Sequence, residues 1–323
     1  MIRTRGLTRN FRVGKEVVEA VRGVDIDVAE GELVALLGPN GAGKSTTLRM
    51  LTTLLEPTSG TAVVAGHDVC AEPARVRRGI GFVGQGHGAG DDQRAGEELY
   101  TQGLLYGLDR RTARRRSGEL LDMLELGSAA DRVVTKLSGG QRRRLDIAMG
   151  LIHEPGLLFL DEPSTGLDPH SRANLWEHIT GLRERLGTTV VLTTHYLDEA
   201  DDMAERVLVI DHGSVIADGT ADELKGKVSG DLVAFSVPDE EHARAGAGVA
   251  ERTLSSGAAE VVTAPGREPE VRLRVERGDT VLPELLRALD SAGVPLLTVR
   301  VQRPTLDDVF LTLTGRSLRE EKA

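Results

Sequence analysis

Apolar residues in the first two thirds of the chain come in short runs bounded by turns. Leu33–Leu37, Ile80–Val83, Leu157–Leu160, Thr189–Thr194 and Val207–Ile210 are apolar or β-branched runs of strand length. That pattern marks strands buried on both faces. Thr61–Val64 and Val215–Ala217 read as further strands, and Val24–Val28 alternates apolar and acidic with period two, a half-exposed strand. Between them the spacing is helical: Leu48, Leu51, Leu54 and Leu55; Leu120, Leu121 and Leu124 within a helical stretch 97–126; Ile147, Leu151 and Ile152; Leu175, Ile179 and Leu182. Strands alternating with helices predict an α/β unit, closing near residue 227.

The pattern changes at Lys225-Gly226-Lys227-Val228-Ser229-Gly230, a plausible linker. Two domains are expected, 1–227 and 228–323. The second reads strand 232–237, helix 240–252, strands 259–263 and 271–275, a helix on Val281, Leu282, Leu285, Leu286 and Leu289, and strand 296–301. That β-α-β-β-α-β order predicts a small ferredoxin-like α+β domain. Leu306, Val309, Phe310 and Leu313 form an apolar stripe, which either packs on its own domain or docks on a partner.

Composition narrows the function. The 323 residues carry a net charge of −10 and only 3% aromatics, which argues against nucleic-acid binding. Cys70 is the single cysteine, so no intrachain disulfide can form. The opening Met1–Arg5 has no apolar core behind it, so no signal peptide is expected. No stretch approaches the ~18–20 apolar residues of a membrane span. If the protein works on a membrane, another chain does the spanning.

The chemistry is concentrated at strand ends. Gly38-Pro39-Asn40-Gly41-Ala42-Gly43-Lys44-Ser45-Thr46 fits G-x-x-x-x-G-K-[ST] between a strand and a helix. Its glycines let backbone N–H groups curve around a phosphate, with the helix N-terminus behind them. Lys44 suits the β- and γ-phosphates, and the Ser45 hydroxyl suits Mg²⁺. Leu157–Leu160 ends in Asp161 and Glu162. Adjacent strand residues face opposite ways, so Asp161 is expected to hold Mg²⁺ while Glu162 deprotonates the attacking water. Gln85 and His195 also follow strands, positions from which a ligand is contacted. Ser138 with Gly139 and Gly140 caps a helix start, a second anion site. Asp168 before Pro169 is a helix cap. Phe11 either stacks on a purine or packs under a hairpin. The glycine-rich stretch 86–96 is expected to be a flexible connection, with His87 solvated. Arg110, Arg111, Arg114, Arg115 and Arg116 make a basic run: a solvated helix face, or a contact for anionic headgroups or an acidic partner.

In this order, the phosphate loop, the strand-end Gln, Leu137-Ser138-Gly139-Gly140-Gln141, the Asp161-Glu162 pair, Ser164–Asp168 and His195 resemble the nucleotide-binding subunit of ATP-binding-cassette transporters. The likeness covers about residues 2–227, and Leu137–Gln141 is its most specific string. It implies a cassette core: a RecA-like parallel sheet, an antiparallel β-subdomain and an α-helical subdomain at about 86–152. It implies ATP and Mg²⁺, adenine stacking on Phe11, and Mg²⁺ sensing with membrane coupling by Gln85. Asp161 matches the metal-linked acid, Glu162 the catalytic base and His195 the switch histidine. Ser138, Gly139, Gly140 and Gln141 would meet the nucleotide of a second copy, and Asp168 would reach across a head-to-tail homodimer. Thr305–Gly315 and the Arg142–Asp146 string resemble drug- and antibiotic-export cassettes of the daunorubicin-resistance kind. That implies a bacterial exporter subunit, peripheral on the cytoplasmic face of the membrane, serving a separate permease. The alternative, a soluble cassette ATPase acting on ribosomes or DNA, is disfavoured. The chain holds one cassette and no coiled coil between Lys44 and Asp161.

Overall fold

The computed structural model describes residues 1–228, 230–254, 259–263 and 268–316. Ser229, within the expected linker, and residues 317–323 lie outside them. The chain divides into two compact units, Met1–Ala221 and Asp222–Ala323.

In the first unit one sheet runs, in spatial order, Ser214–Gly219, Arg206–Asp211, Leu33–Leu37, Thr189–Thr194, Leu157–Asp161 and Ile80–Val83. Neighbours are parallel except at the first strand, which pairs antiparallel. Every residue of Leu33–Leu37, Leu157–Asp161 and Thr189–Thr194 is buried, as expected of central parallel strands covered on both faces. The register matters more than the order. Leu37 pairs with Thr194, Asp161 with Thr193 and Val83 with Leu160. The residues that follow these strands, Gly38, Gln85, Glu162 and His195, therefore emerge along one carboxyl edge of the sheet.

A second, antiparallel sheet joins Glu16–Val24, Ile2–Val13, Ser59–Val64 and His67–Asp68, with Asp27–Val28 paired to Ile2 and Arg3. The alternation at 24–28 appears as burial: Val24, Ile26 and Val28 are buried and the two aspartates exposed. The ladder itself breaks at Asp25 and Ile26, where the Thr4 hydroxyl accepts from Ile26 N at 2.8 Å and donates to Val24 O at 3.0 Å.

The expected continuous helical stretch 97–126 is two helices, Ala95–Leu105 and Arg110–Met123. Gly107 at φ +87° turns the chain, and Asp109 caps the second helix by accepting from the N–H groups of Arg111 and Thr112. Two further expectations fail here. Arg116 is 4% exposed and pairs with Glu119 and Glu154, so it leaves the basic face. The 86–96 stretch is not a loose connection at its start. Asp146, buried on helix Gly139–Leu151, accepts from Gly88 N at 2.9 Å and Ala89 N at 3.3 Å. Its other oxygen lies 3.0 Å from His87 Nδ1. A buried carboxylate needs donors, and glycine-rich backbone brings them close.

The second unit has the order strand, helix, strand, strand, helix, strand. Its antiparallel sheet runs Glu260–Val262, Glu270–Val275, Asp231–Ser236, Thr298–Gln302. Helices Glu240–Leu254 and Gly278–Ser291 complete a core of Val233, Phe235, Val271, Leu273, Leu285 and Leu289. A Cβ on Gly246 would stand 2.9 Å from the Phe235 ring, so glycine sets how closely helix meets sheet. Leu306–Thr314 is helical, with Leu306, Val309 and Phe310 buried and Leu313 48% exposed.

Candidate nucleotide site

The loop Gly38–Gly43 leaves strand Leu33–Leu37 and opens helix Lys44–Leu51. Two glycines are required by contact. A Cβ at Gly38 would stand 2.1 Å from Ile210 O, and at Gly43 (φ +103°) 2.5 Å from Ala20 O. The helix has no side-chain cap, which leaves its first N–H donors to an anion. Lys44 is 4% exposed and folds back on its own loop, its Nζ donating to Gly38 O at 2.7 Å and Pro39 O at 2.9 Å.

A hydrogen-bond chain links the strand ends. Gln85 Nε2 donates to Ser45 Oγ at 3.3 Å, and Ser45 Oγ donates to Asp161 Oδ1 at 2.8 Å. Thr193 Oγ1 donates to the same oxygen at 2.7 Å and accepts from Glu162 N at 2.9 Å. Ser45, Gln85 and Asp161 thus form an oxygen-bearing cluster around a buried carboxylate. Among the described residues no group of three or more His, Cys, Asp or Glu forms a metal cluster. A site with one carboxylate, a hydroxyl and an amide suits Mg²⁺, which takes few protein ligands and completes its shell with water and phosphate oxygens.

Glu162 faces elsewhere, and the reason is not the strand pleat. The strand ends at Asp161, and Glu162 sits at φ +46°, a left-handed conformation costly for a non-glycine residue. That turn carries its carboxylate to the loop lysine: Oε1 lies 3.8 Å from Lys44 Nζ, and Oε2 lies 3.4 Å from His195 Nδ1 and 3.2 Å from Thr165 Oγ1. Contact with His195 holds the Glu162 carboxyl below its usual range, against the opposing effect of burial, with Lys44 and Thr165 assisting. It is therefore ionised at neutral pH and able to take a proton.

Helix Gly139–Leu151 starts in a capping box: Ser138 Oγ accepts from Gln141 N, and Gln141 Oε1 accepts from Ser138 N at 3.1 Å. Ser138 and Gly139 are exposed. Asp168 caps helix Pro169–Leu186, its carboxylate accepting from Ser171 N at 3.0 Å and Ser171 Oγ at 2.6 Å. Phe11 lies across from Val18 on the hairpin, with the Arg9 guanidinium 4.7 Å from its ring centroid. The structure thus gathers the loop, Gln85, Asp161, Glu162 and His195. It places Ser138–Gln141, Asp168 and Phe11 on separate elements.

Four further residues shape the site. Thr193 bridges the two acids. Arg143, 4% exposed, donates from Nε to Pro163 O at 2.8 Å, from Nη1 to Gly84 O at 2.7 Å and from Nη2 to Asp161 O at 3.2 Å. Asp146 holds His87–Ala89. Glu199, also 4% exposed, accepts from Thr194 Oγ1 at 2.7 Å and from Ser164 Oγ, tying the turn before Asp168 to the strand that delivers His195. Arg143 had a sequence signal: it precedes Ile147 and Leu151 at four-residue steps, on the apolar face of its helix.

Known proteins resemble this chain in both of its units. Residues 21–165 match the ABC transporter family, and residues 219–314 match the C-terminal domain of DrrA1-3-like ATP-binding proteins. The daunorubicin resistance ATP-binding protein DrrA3 of Streptomyces coeruleorubidus is 45% identical over 306 residues, 94% of each chain. The daunorubicin/doxorubicin resistance ATP-binding protein DrrA of Streptomyces peucetius is 43% identical over 317 residues, 97% of this chain and 92% of that one. Among solved structures, the dimeric ATP-binding cassette MJ0796 in a post-hydrolysis state with ADP and Pi superposes with a TM-score of 0.63 at 29% identity, over 68% of this chain and 98% of that one. The chain belongs to the ATP-binding family of ABC transporters, with a DrrA-like C-terminal domain, and it binds and hydrolyses ATP.

Proposed function

We propose that this chain powers a bacterial exporter from the cytoplasmic face of the membrane, acting through a separate permease on a hydrophobic drug or antibiotic. The observation that carries this reading is the extent of the likeness. It runs through the C-terminal unit as well as the cassette, and the relatives that share both are named for daunorubicin and doxorubicin resistance. Among the described residues no helix is long and apolar enough to cross a membrane; in this reading the path for cargo belongs to another chain.

In this reading Lys44 leaves the Gly38 and Pro39 carbonyls for the β- and γ-phosphates, and the loop N–H groups wrap them. Ser45, Gln85 and Asp161 would hold Mg²⁺, which when bound neutralises charge on the phosphates. Glu162, kept ionised, takes the proton of the attacking water, and His195 contacts both that base and the terminal phosphate. Phe11 stacks on adenine. One chain supplies only part of the site. The helix start at Ser138, Gly139, Gly140 and Gln141, exposed at its first two residues, serves with Asp168 the ATP held by a second copy arranged head to tail. Closure of the pair then follows the terminal phosphate, and hydrolysis reopens it.

Glu162→Gln tests the assignment. Hydrolysis should fall by ~10²–10⁴, while Mg-ATP still binds and a dimer accumulates in light scattering. Turnover near the wild-type rate overturns it.

A further inference from the structure

Helices Ala95–Leu105 and Arg110–Met123 form a hairpin whose turn, Tyr106–Asp109, exposes both charge and apolar surface. Arg110, Arg111, Arg114 and Arg115 are exposed and line, with Tyr100, a shallow cavity of about 650 Å³. Arg114 lies 5.7 Å from the Tyr100 ring centroid, which holds its guanidinium in place. Arg115 shares Glu119 at 2.7 Å. Asp109 is occupied in capping, accepting from Arg111 N, Thr112 N and Thr112 Oγ1. Glu97 and Glu98 stand in the first turn of the facing helix, where Glu98 accepts from Gly90 N at 3.0 Å. In the same hairpin, at the end of its first helix, Leu105 is 77% exposed, with Leu104 at 37% and Tyr106 at 40%. Tyr106 stacks on His153 with ring centroids 3.7 Å apart, so the turn is braced from behind.

We propose that this hairpin tip is a binding surface for anionic phospholipid headgroups, with the arginines on the phosphates and Leu105 entering the acyl boundary. The chemistry favours lipid over a small anion. Arginine forks match phosphodiesters, and an exposed leucine on the same hairpin has no use for a soluble phosphate but suits a bilayer interface. The net charge of −10 repels an anionic surface elsewhere, so the tip would also orient the molecule on it. Nothing in this surface requires a permease, and it stands or falls apart from the exporter reading.

The test uses the full chain and protein-free vesicles in a co-sedimentation assay. Phosphatidylcholine vesicles containing phosphatidylglycerol should bind it, phosphatidylcholine alone should not, and added salt should weaken binding. Replacing Arg110, Arg111, Arg114 and Arg115 with Gln should lower partitioning about a hundredfold, at about fivefold for each of the three not shared with Glu119. Unchanged ATP hydrolysis in solution shows that this variant is folded. Leu105→Ser should weaken binding without altering its salt dependence. Equal binding to both vesicle types, or retention by the four-Gln variant, overturns the proposal. So does displacement from vesicles by inorganic phosphate at the same ionic strength as a chloride control, which would mark a small-anion site.

Discussion

Thr193 is 0% exposed and its hydroxyl makes two bonds at once, donating to Asp161 Oδ1 at 2.7 Å and accepting from Glu162 N at 2.9 Å. Thr193→Val keeps the shape and removes the oxygen. The bond to the carboxylate is worth about 1.5–3 kcal/mol and that from the amide about 1 kcal/mol. Losing both should cost about 3 kcal/mol, since Asp161 and the left-handed Glu162 are left with unmet groups in a buried place. For a unit of this size that lowers Tm by roughly 6–12 °C. Thr193→Ser keeps both bonds and loses one methyl, about 1 kcal/mol or a few degrees. Thermal unfolding by circular dichroism separates them, and Mg-ATP hydrolysis should fall in the valine variant and persist in the serine one. If valine melts within about 2 °C of wild type, or serine is the worse of the two, the hydroxyl bridge does not organise the acids as argued.

Acid unfolding gives a second check. The Glu162 carboxyl is lowered from 4.5 when folded, so its stabilising share is complete above 4.5 and is lost as pH falls through the folded value. The urea midpoint gap between wild type and Glu162→Gln should be constant near neutrality and shrink in acid; a gap that widens in acid contradicts the sign. Asp146→Ala strips the acceptor from Gly88 and Ala89 and should cost about 2–3 kcal/mol, with faster hydrogen exchange at those two amides. Unchanged protection there would show that the segment is held by something else. Glu199→Gln replaces an acceptor of two hydroxyls with a group that accepts through one oxygen only. It should cost about 1–3 kcal/mol, read by urea unfolding, and should slow hydrolysis; equal midpoints would show that the tie carries no strain when broken.

The parts legible from the sequence were local ones. The phosphate loop declares itself because its glycines, lysine and hydroxyl act within nine consecutive residues, and the central strands do so because burial on both faces makes them near-continuous apolar or β-branched runs. Glycine-rich composition at 86–90 suggested looseness, since composition does not reveal that an aspartate 58 residues later accepts the backbone of Gly88. Arg116 looked like its neighbours in a basic run, yet the helix period turns it inward to Glu154 and Leu151 O. The left-handed turn at Glu162 had no local signal either. Thr193 on the adjacent strand accepts from the Glu162 N–H there, a contact between residues 31 positions apart that only the strand register reveals.

Helix Gly139–Leu151 grips the chain beside Gln85 at two successive turns, Arg143 on the Gly84 carbonyl and Asp146 on Gly88 and Ala89. Ser138 sits at the near end of that same rod. The 84–89 strap and Ser138 are thus fastened to one rod, so the strap cannot shift without straining bonds on the helix that Ser138 begins.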